Sequence, residues 1–191
     1  YMSNIASEAA WIGERNRDTL NPEKARKDID DSLGQIQAQI VWSKKTIHEL
    51  MYFSQPADPI IQQININDML NDLVELFLRE LYFNNIRTRL DFEESLPVIR
   101  CDLSLMRQVF QNLLLNAFEA IGKNGEICLS TRGLGDRIRI TVADSGPGIA
   151  PETANDIFEP LFTTHSKRLG LGLSICRDIL EKLGGTISFE N

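Results

Sequence analysis

Apolar residues recur at alternating steps of four and three from Ile29 through Leu33, Ile36, Ile40, Ile47 and Leu50, with Ser43 and Ser54 as the only interruptions. This is the seam spacing of a helix packed against other helices. Ile5, Ala9 and Ile12 begin a similar seam, and Asn21-Pro22 separates the two before Glu23 and Lys24 restart helical composition. The pattern predicts an antiparallel helical hairpin over residues 1–58. Two helices cannot bury both apolar faces alone, so a second copy and a four-helix bundle are expected; docking of the hairpin on its own globular domain is the alternative.

Pro56 and Pro59 bracket Ala57-Asp58 and mark a linker. Beyond it the period changes. Met69, Leu70, Leu73, Leu76, Phe77 and Leu81 predict a helix over 66–83, and strand-like alternation follows over 87–92. A long helix is expected over 103–121, strands over 126–131 and 137–144, a helix over 174–183 and a last strand over 186–189. Helices and strands that do not strictly alternate predict an α+β chain: the hairpin, then an α/β sandwich over 59–191 with helices on one face of a mixed, mostly antiparallel sheet.

Charge and composition narrow the partners. The 191 residues carry 27 acidic and 20 basic side chains, a formal charge of −7, and 42% are hydrophobic. A real core is affordable, whereas nonspecific binding to nucleic acid or an anionic membrane, which needs a basic field, is not expected. No run approaches the ~20 apolar residues that span a bilayer, and no secretory pattern opens the chain. Cys101, Cys128 and Cys176 fit neither a disulfide framework nor zinc spacing and read as buried thiols of a reducing compartment.

Four segments carry candidate chemistry. Asn112, Asn116 and Glu119 share one stripe of an otherwise apolar helix, where amide and carboxylate oxygens suit a hard cation such as Mg²⁺ or simply face solvent. The strand 137–144 runs into Asp144-Ser145-Gly146-Pro147-Gly148. Its glycines permit close backbone approach to a flat ligand, and Asp144 can accept hydrogen bonds from an exocyclic amine; a plain turn is the simpler alternative. Gly170-Leu171-Gly172-Leu173 opens a helix, where free backbone N–H groups favour an anion. Between them, Phe158 and Phe162 precede the polar, basic stretch Thr163-Thr164-His165-Ser166-Lys167-Arg168, the composition of a lid.

In this order the four segments resemble the asparagine, first glycine, phenylalanine and second glycine boxes of the sensor histidine kinase ATP-binding domain. That domain shares a superfamily with type II topoisomerase, Hsp90 and mismatch-repair ATPases. The resemblance covers about 65–191, and the hairpin resembles the family's dimerisation and phosphoacceptor element. It implies ATP or ADP with Mg²⁺ as ligands, Asn116 on the metal, Asp144 on the adenine amine, and Gly146 and Gly148 shaping the adenine pocket. Gly170 and Gly172 would meet the phosphates, and Ile149, Phe158, Thr164, Lys167, Arg168, Leu171 and Leu173 complete the nucleotide contacts. Asn112 stands where the hydrolytic relatives carry a water-activating glutamate, and since an amide cannot be that base, transfer to a protein side chain is expected.

Departures are specific. Arg168 stands where many members have a glycine, His165 where many have lysine, and the domain's final strand is missing. Ala6-Ser7-Glu8 resembles the acceptor site with serine in place of histidine, Glu8 being the candidate to orient or deprotonate the nucleophile. Three readings stay open: Ser7 replaces the acceptor; His48, in His48-Glu49-Leu50, is the acceptor; or the true histidine lies upstream of Tyr1. The resemblance implies a homodimeric cytoplasmic kinase core, from a membrane-anchored or soluble parent, passing phosphoryl to the receiver domain of a response regulator. A nucleotide-binding scaffold and a protein-serine kinase are the alternatives.

Overall fold

The computed structural model describes residues 58–163 and 169–191, together with Ile29, Ser32, Leu33 and Ile36. These four are helical, Ser32 being buried and Leu33 exposed. The rest of the expected hairpin, with Ser7, Glu8 and His48, lies outside the described residues, as do Thr164, His165, Ser166, Lys167 and Arg168. Residues Ala57–Asn191 form one compact unit of the chain.

Within it the order is β1 (Gln62–Ile64), α1 (Ile66–Phe83), β2 (Ile86–Phe92), β3 (Ile99–Cys101), α2 (Leu103–Ile121), β4 (Gly125–Leu134), β5 (Arg137–Asp144) and α3 (Gly172–Lys182). Strands β1 and β3 pair antiparallel, and a second sheet runs β2-β4-β5 with β2 parallel and β5 antiparallel to β4. The expected α+β architecture with a mixed sheet is observed.

The helices start where side chains satisfy the free N–H groups of a first turn. Asn65 accepts from the N–H groups of Asn67 and Asp68 ahead of α1. Asp102 accepts from Ser104 and Leu105 at 2.8 and 3.0 Å ahead of α2, and its other oxygen takes the Ile60 N–H at 2.7 Å. One stripe of α1 (Met69, Leu70, Leu73) and one of α2 (Met106, Phe110, Leu114) pack with Ile127 and Leu129 of β4 in a single core. A buried polar knot crosses that layer: Thr131 donates to Asn67 at 2.9 Å and accepts from the Glu93 N–H, while the Asn67 amide donates to the Glu93 carbonyl. Every group in the knot is satisfied, which makes it fixing rather than costly.

Between β4 and β5 the turn is Gly135-Asp136, since Leu134 faces Arg137 in register. Positive φ at Gly135 alone of the pair is the type II′ pattern that suits strand twist.

The strand expected over 186–189 is not formed; these residues make no ladder bonds. Alternation marks an extended chain, but a strand needs a neighbour to exchange N–H and C=O bonds with. Here the terminal segment is held by a side chain instead, as Asn191 both accepts from the Ile149 N–H and donates to the Ile149 carbonyl. Two short strands, β1 and β3, escaped the periodicity because three residues are too few to show it.

Candidate functional site

Two glycine segments far apart in sequence converge on one helix, α2. At its middle, the buried Asn112 donates its amide to the Gly172 carbonyl at 3.4 Å, fixing the start of α3. At its far end, a Cβ built on Gly146 would lie 2.9 Å from the Ala120 Cβ, so the loop after β5 rests directly on the last turn of α2. Asn112 and Ala120 are eight residues apart, about 12 Å along a helix. The half-buried Asn116 lies between them on the same helix, with exposed Glu119 near the far end.

The start of α3 differs from the other two helices. Its N-cap is Leu171, which offers no side-chain bond, whereas Asn65 and Asp102 cap the other two. The N–H groups at the start of α3 have no capping side chain, and the positive end of the helix dipole suits an anion. Buried Ser174 turns its hydroxyl back onto the Leu171 carbonyl at 3.0 Å and so does not cap them. Leu171 is buried and Leu173 half-buried, which holds the backbone of this turn against α2.

Asp144 ends β5, exposed, with one oxygen accepting the Gly146 N–H at 2.8 Å. The same loop is pinned to β4 by Ser145, whose N–H donates to the Glu126 carbonyl and whose hydroxyl accepts from the Glu126 N–H. Gly148 holds φ +73°, and Ile149 after it is clamped by Asn191. Phe158 is half-buried, its ring 6.5 Å from that of Phe189, and Glu159 pairs with Arg177 of α3 at 3.4 Å.

Gly170 has φ +67°, and a Cβ there would meet the Phe162 carbonyl oxygen and lie 2.7 Å from the Leu161 carbonyl carbon. The residues bounding the lid-like stretch, Phe162 and Gly170, therefore touch. Of the predicted site residues, Asn112, Asn116, Gly146, Gly172 and, through Gly146, Asp144 are gathered along α2. Sequence reasoning missed Ala120, whose small side chain admits Gly146, and Asn191, which braces the loop. Ala120 carried a signal, as the small residue closing the polar stripe; Asn191 carried none. Among the described residues no group of three His, Cys, Asp or Glu could hold a metal, and no helix is long and apolar enough to cross a membrane.

Residues 101–191 match the family described as histidine kinase-, DNA gyrase B-, and HSP90-like ATPase. Among curated proteins, sensor histidine kinase ZraS of Salmonella typhimurium is 37% identical over 148 residues, covering 77% of this chain and 32% of ZraS. The chain thus spans about a third of the length of the curated relatives it matches first. Among solved structures, the catalytic domain of histidine kinase ThkA is 36% identical with a TM-score of 0.65, covering 69% of this chain and 87% of that one. A structure of ThkA in complex with response regulator protein TrrA has a TM-score of 0.71 at 28% identity, covering 98% of this chain and 54% of that one.

Proposed function

From a chain that belongs to the family of histidine kinase-, DNA gyrase B- and HSP90-like ATPases, and within it to the sensor histidine kinases, we propose an ATP-dependent protein-histidine kinase core. The carrying observation is the convergence of the Asp144–Gly146 loop and the uncapped start of α3 on the two ends of one α2 stripe.

The residues fit a nucleotide. Gly146 and Gly148 would admit the base, with the second carboxylate oxygen of Asp144 available to its amine, and the first turn of α3, where no side chain competes, would hold the phosphates. Asn116 would offer its amide oxygen to a Mg²⁺ ion accompanying those phosphates, since few protein ligands suffice for this ion, and the ion would supply charge neutralisation for phosphoryl transfer. Asn112, buried and donating to Gly172, positions the phosphate-binding turn and offers no base to a water. Ile149, Phe158, Gly170, Leu171 and Leu173 complete the described part of the pocket, and Thr164, Lys167 and Arg168 supply the lid.

In this reading residues 1–58 dimerise the chain and carry the acceptor region, with Ser7 and Glu8 at the acceptor position. The intact protein works in the cytoplasm and passes phosphoryl to the receiver domain of a response regulator. Incubation with γ-labelled ATP and Mg²⁺ tests the chemistry: acid-labile, base-stable label marks phosphohistidine, acid-stable label marks Ser7 and the serine-kinase alternative, and nucleotide binding without label marks a scaffold. Asp144→Asn tests the pocket, with at least a tenfold loss of ATP affinity by calorimetry and an unchanged circular dichroism spectrum expected. Unchanged affinity refutes the assignment of the adenine end.

A further inference from the structure

The face of the β2-β4-β5 sheet turned away from the helices is basic, on a chain whose formal charge is −7. Period-two alternation sends Ile127, Leu129 and Thr131 into the core and their neighbours outward. In register, Arg87 lies beside Glu126, Arg89 beside Cys128 and Ala143, Asp91 beside Ser130 and Thr141, and Arg132 beside Arg139, with Leu134 beside Arg137. The outward set holds Arg87, Arg89, Arg132, Arg137 and Arg139 against two carboxylates, Asp91 and Glu126.

Arg132 is neutralised by Asp91 at 2.5 Å. Arg87, Arg89, Arg137 and Arg139 are exposed and have no ion pair among the described residues. Arg139 stands directly opposite Arg132, and like charges on facing positions disfavour a sheet; Asp91 relieves this at Arg132 and leaves Arg139 without a counter-charge of its own. Folding gains nothing from this crowding, and the acidic rest of the chain shows that the composition does not force it. A charge arrangement that opposes stability belongs to binding.

The shape supports one class of occupant. Arg87 and Arg89 stand at one end of the face and Arg137 and Arg139 at the other, separated by a floor of the small residues Cys128, Ser130, Thr141 and Ala143. Four residues along a strand separate the row of Arg89 from that of Arg132 and Arg139, about 13 Å. An extended segment with acids at alternate positions repeats its carboxylates every ~7 Å, so acids four residues apart reach both arginine groups. A nucleic acid duplex or a bilayer surface is a continuous polyanion. It would overrun this small face onto Asp136 and Glu93, in the field of a net acidic molecule.

We propose that this sheet face docks a protein partner through an extended, carboxylate-rich segment of that partner. The test titrates the chain with a labelled eight-residue peptide alternating glutamate and serine, at low ionic strength, beside a twenty-base-pair DNA duplex and phosphatidylserine vesicles. Saturable peptide binding, weakened at least tenfold in the triple variant Arg89→Ser, Arg137→Ser, Arg139→Ser while ATP affinity stays unchanged, is the expected result. No peptide binding, binding indifferent to the variant, or tighter arginine-dependent binding of duplex or vesicles overturns the proposal. Should the triple variant lose ATP affinity through misfolding, Arg139→Ser alone decides: a loss of threefold or more in peptide affinity supports docking, and none refutes it.

Discussion

Gly170 and Cys101 show how single positions are constrained by what surrounds them. At Gly170 a side chain would require both a left-handed backbone, costing about 1–2 kcal/mol, and space already taken by the Phe162 carbonyl. Gly170→Ala is expected to lower unfolding free energy by about 2–3 kcal/mol in urea titration and to weaken nucleotide binding, since Gly170 leads into the first turn of α3. Cys101 sits at the end of β3, buried, and burial first, then the neighbouring Asp102 carboxylate, raises its thiol above the ordinary 9.0. The thiol is thus neutral in the fold at a pH where the unfolded chain has ionised it. The native state then holds the extra proton, so stability is intact below the ordinary value and falls as pH rises through the window above it, by up to about 1.4 kcal/mol per pH unit. The stability advantage of the wild type over Cys101→Ala should shrink as pH rises above the ordinary thiol value of 9.0; a constant difference would contradict the burial argument.

Among elements, the long ones were legible in the sequence and the short ones were not. The spans of α1, α2 and β5 match their periodicity because each turns one continuous stripe inward, buried in the helices and half-buried in β5, and the stripe is what a pattern records. Strands β1 and β3 depend on each other, a tertiary fact with no local signature. The run at 186–189 had the pattern without the partner. Within the candidate site, residue types were readable, but the direction of Asn112 was not: spacing placed it on a polar stripe, whereas it is buried as the donor to Gly172. Asn112→Ala removes this bond from the Gly172 carbonyl, which keeps its acceptor place within α3, and is expected to cost about 0.5–1.5 kcal/mol. It should also cut ATP affinity through α3 while the hydrogen-exchange protection of α1 stays as it was. Asn112→Asp, which keeps the shape but loses the donor, should behave like Asn112→Ala; wild-type affinity in Asn112→Asp would show that donation does not set the turn.

The whole unit Ala57–Asn191 carries its own core and the residues of the proposed nucleotide site described above, so binding is expected to be independent of residues 1–56. Expressed alone, it should melt in one cooperative transition and bind ADP within about twofold of the full chain; a nucleotide affinity that requires the first 56 residues would refute this autonomy. Its topology also sets an order of assembly. Strands β4 and β5 meet across a two-residue turn and can zip within about 1–10 μs. The parallel β2–β4 pairing joins Ile86 to Gly125, so the intervening β3 and α2 must be gathered before it rewards the chain. β2 is consequently the late strand. Substitutions in its ladder should speed unfolding rather than slow folding, and Arg87 and Arg89 join the arginines of β5 only as the native state is reached, leaving the nascent chain without the complete basic face.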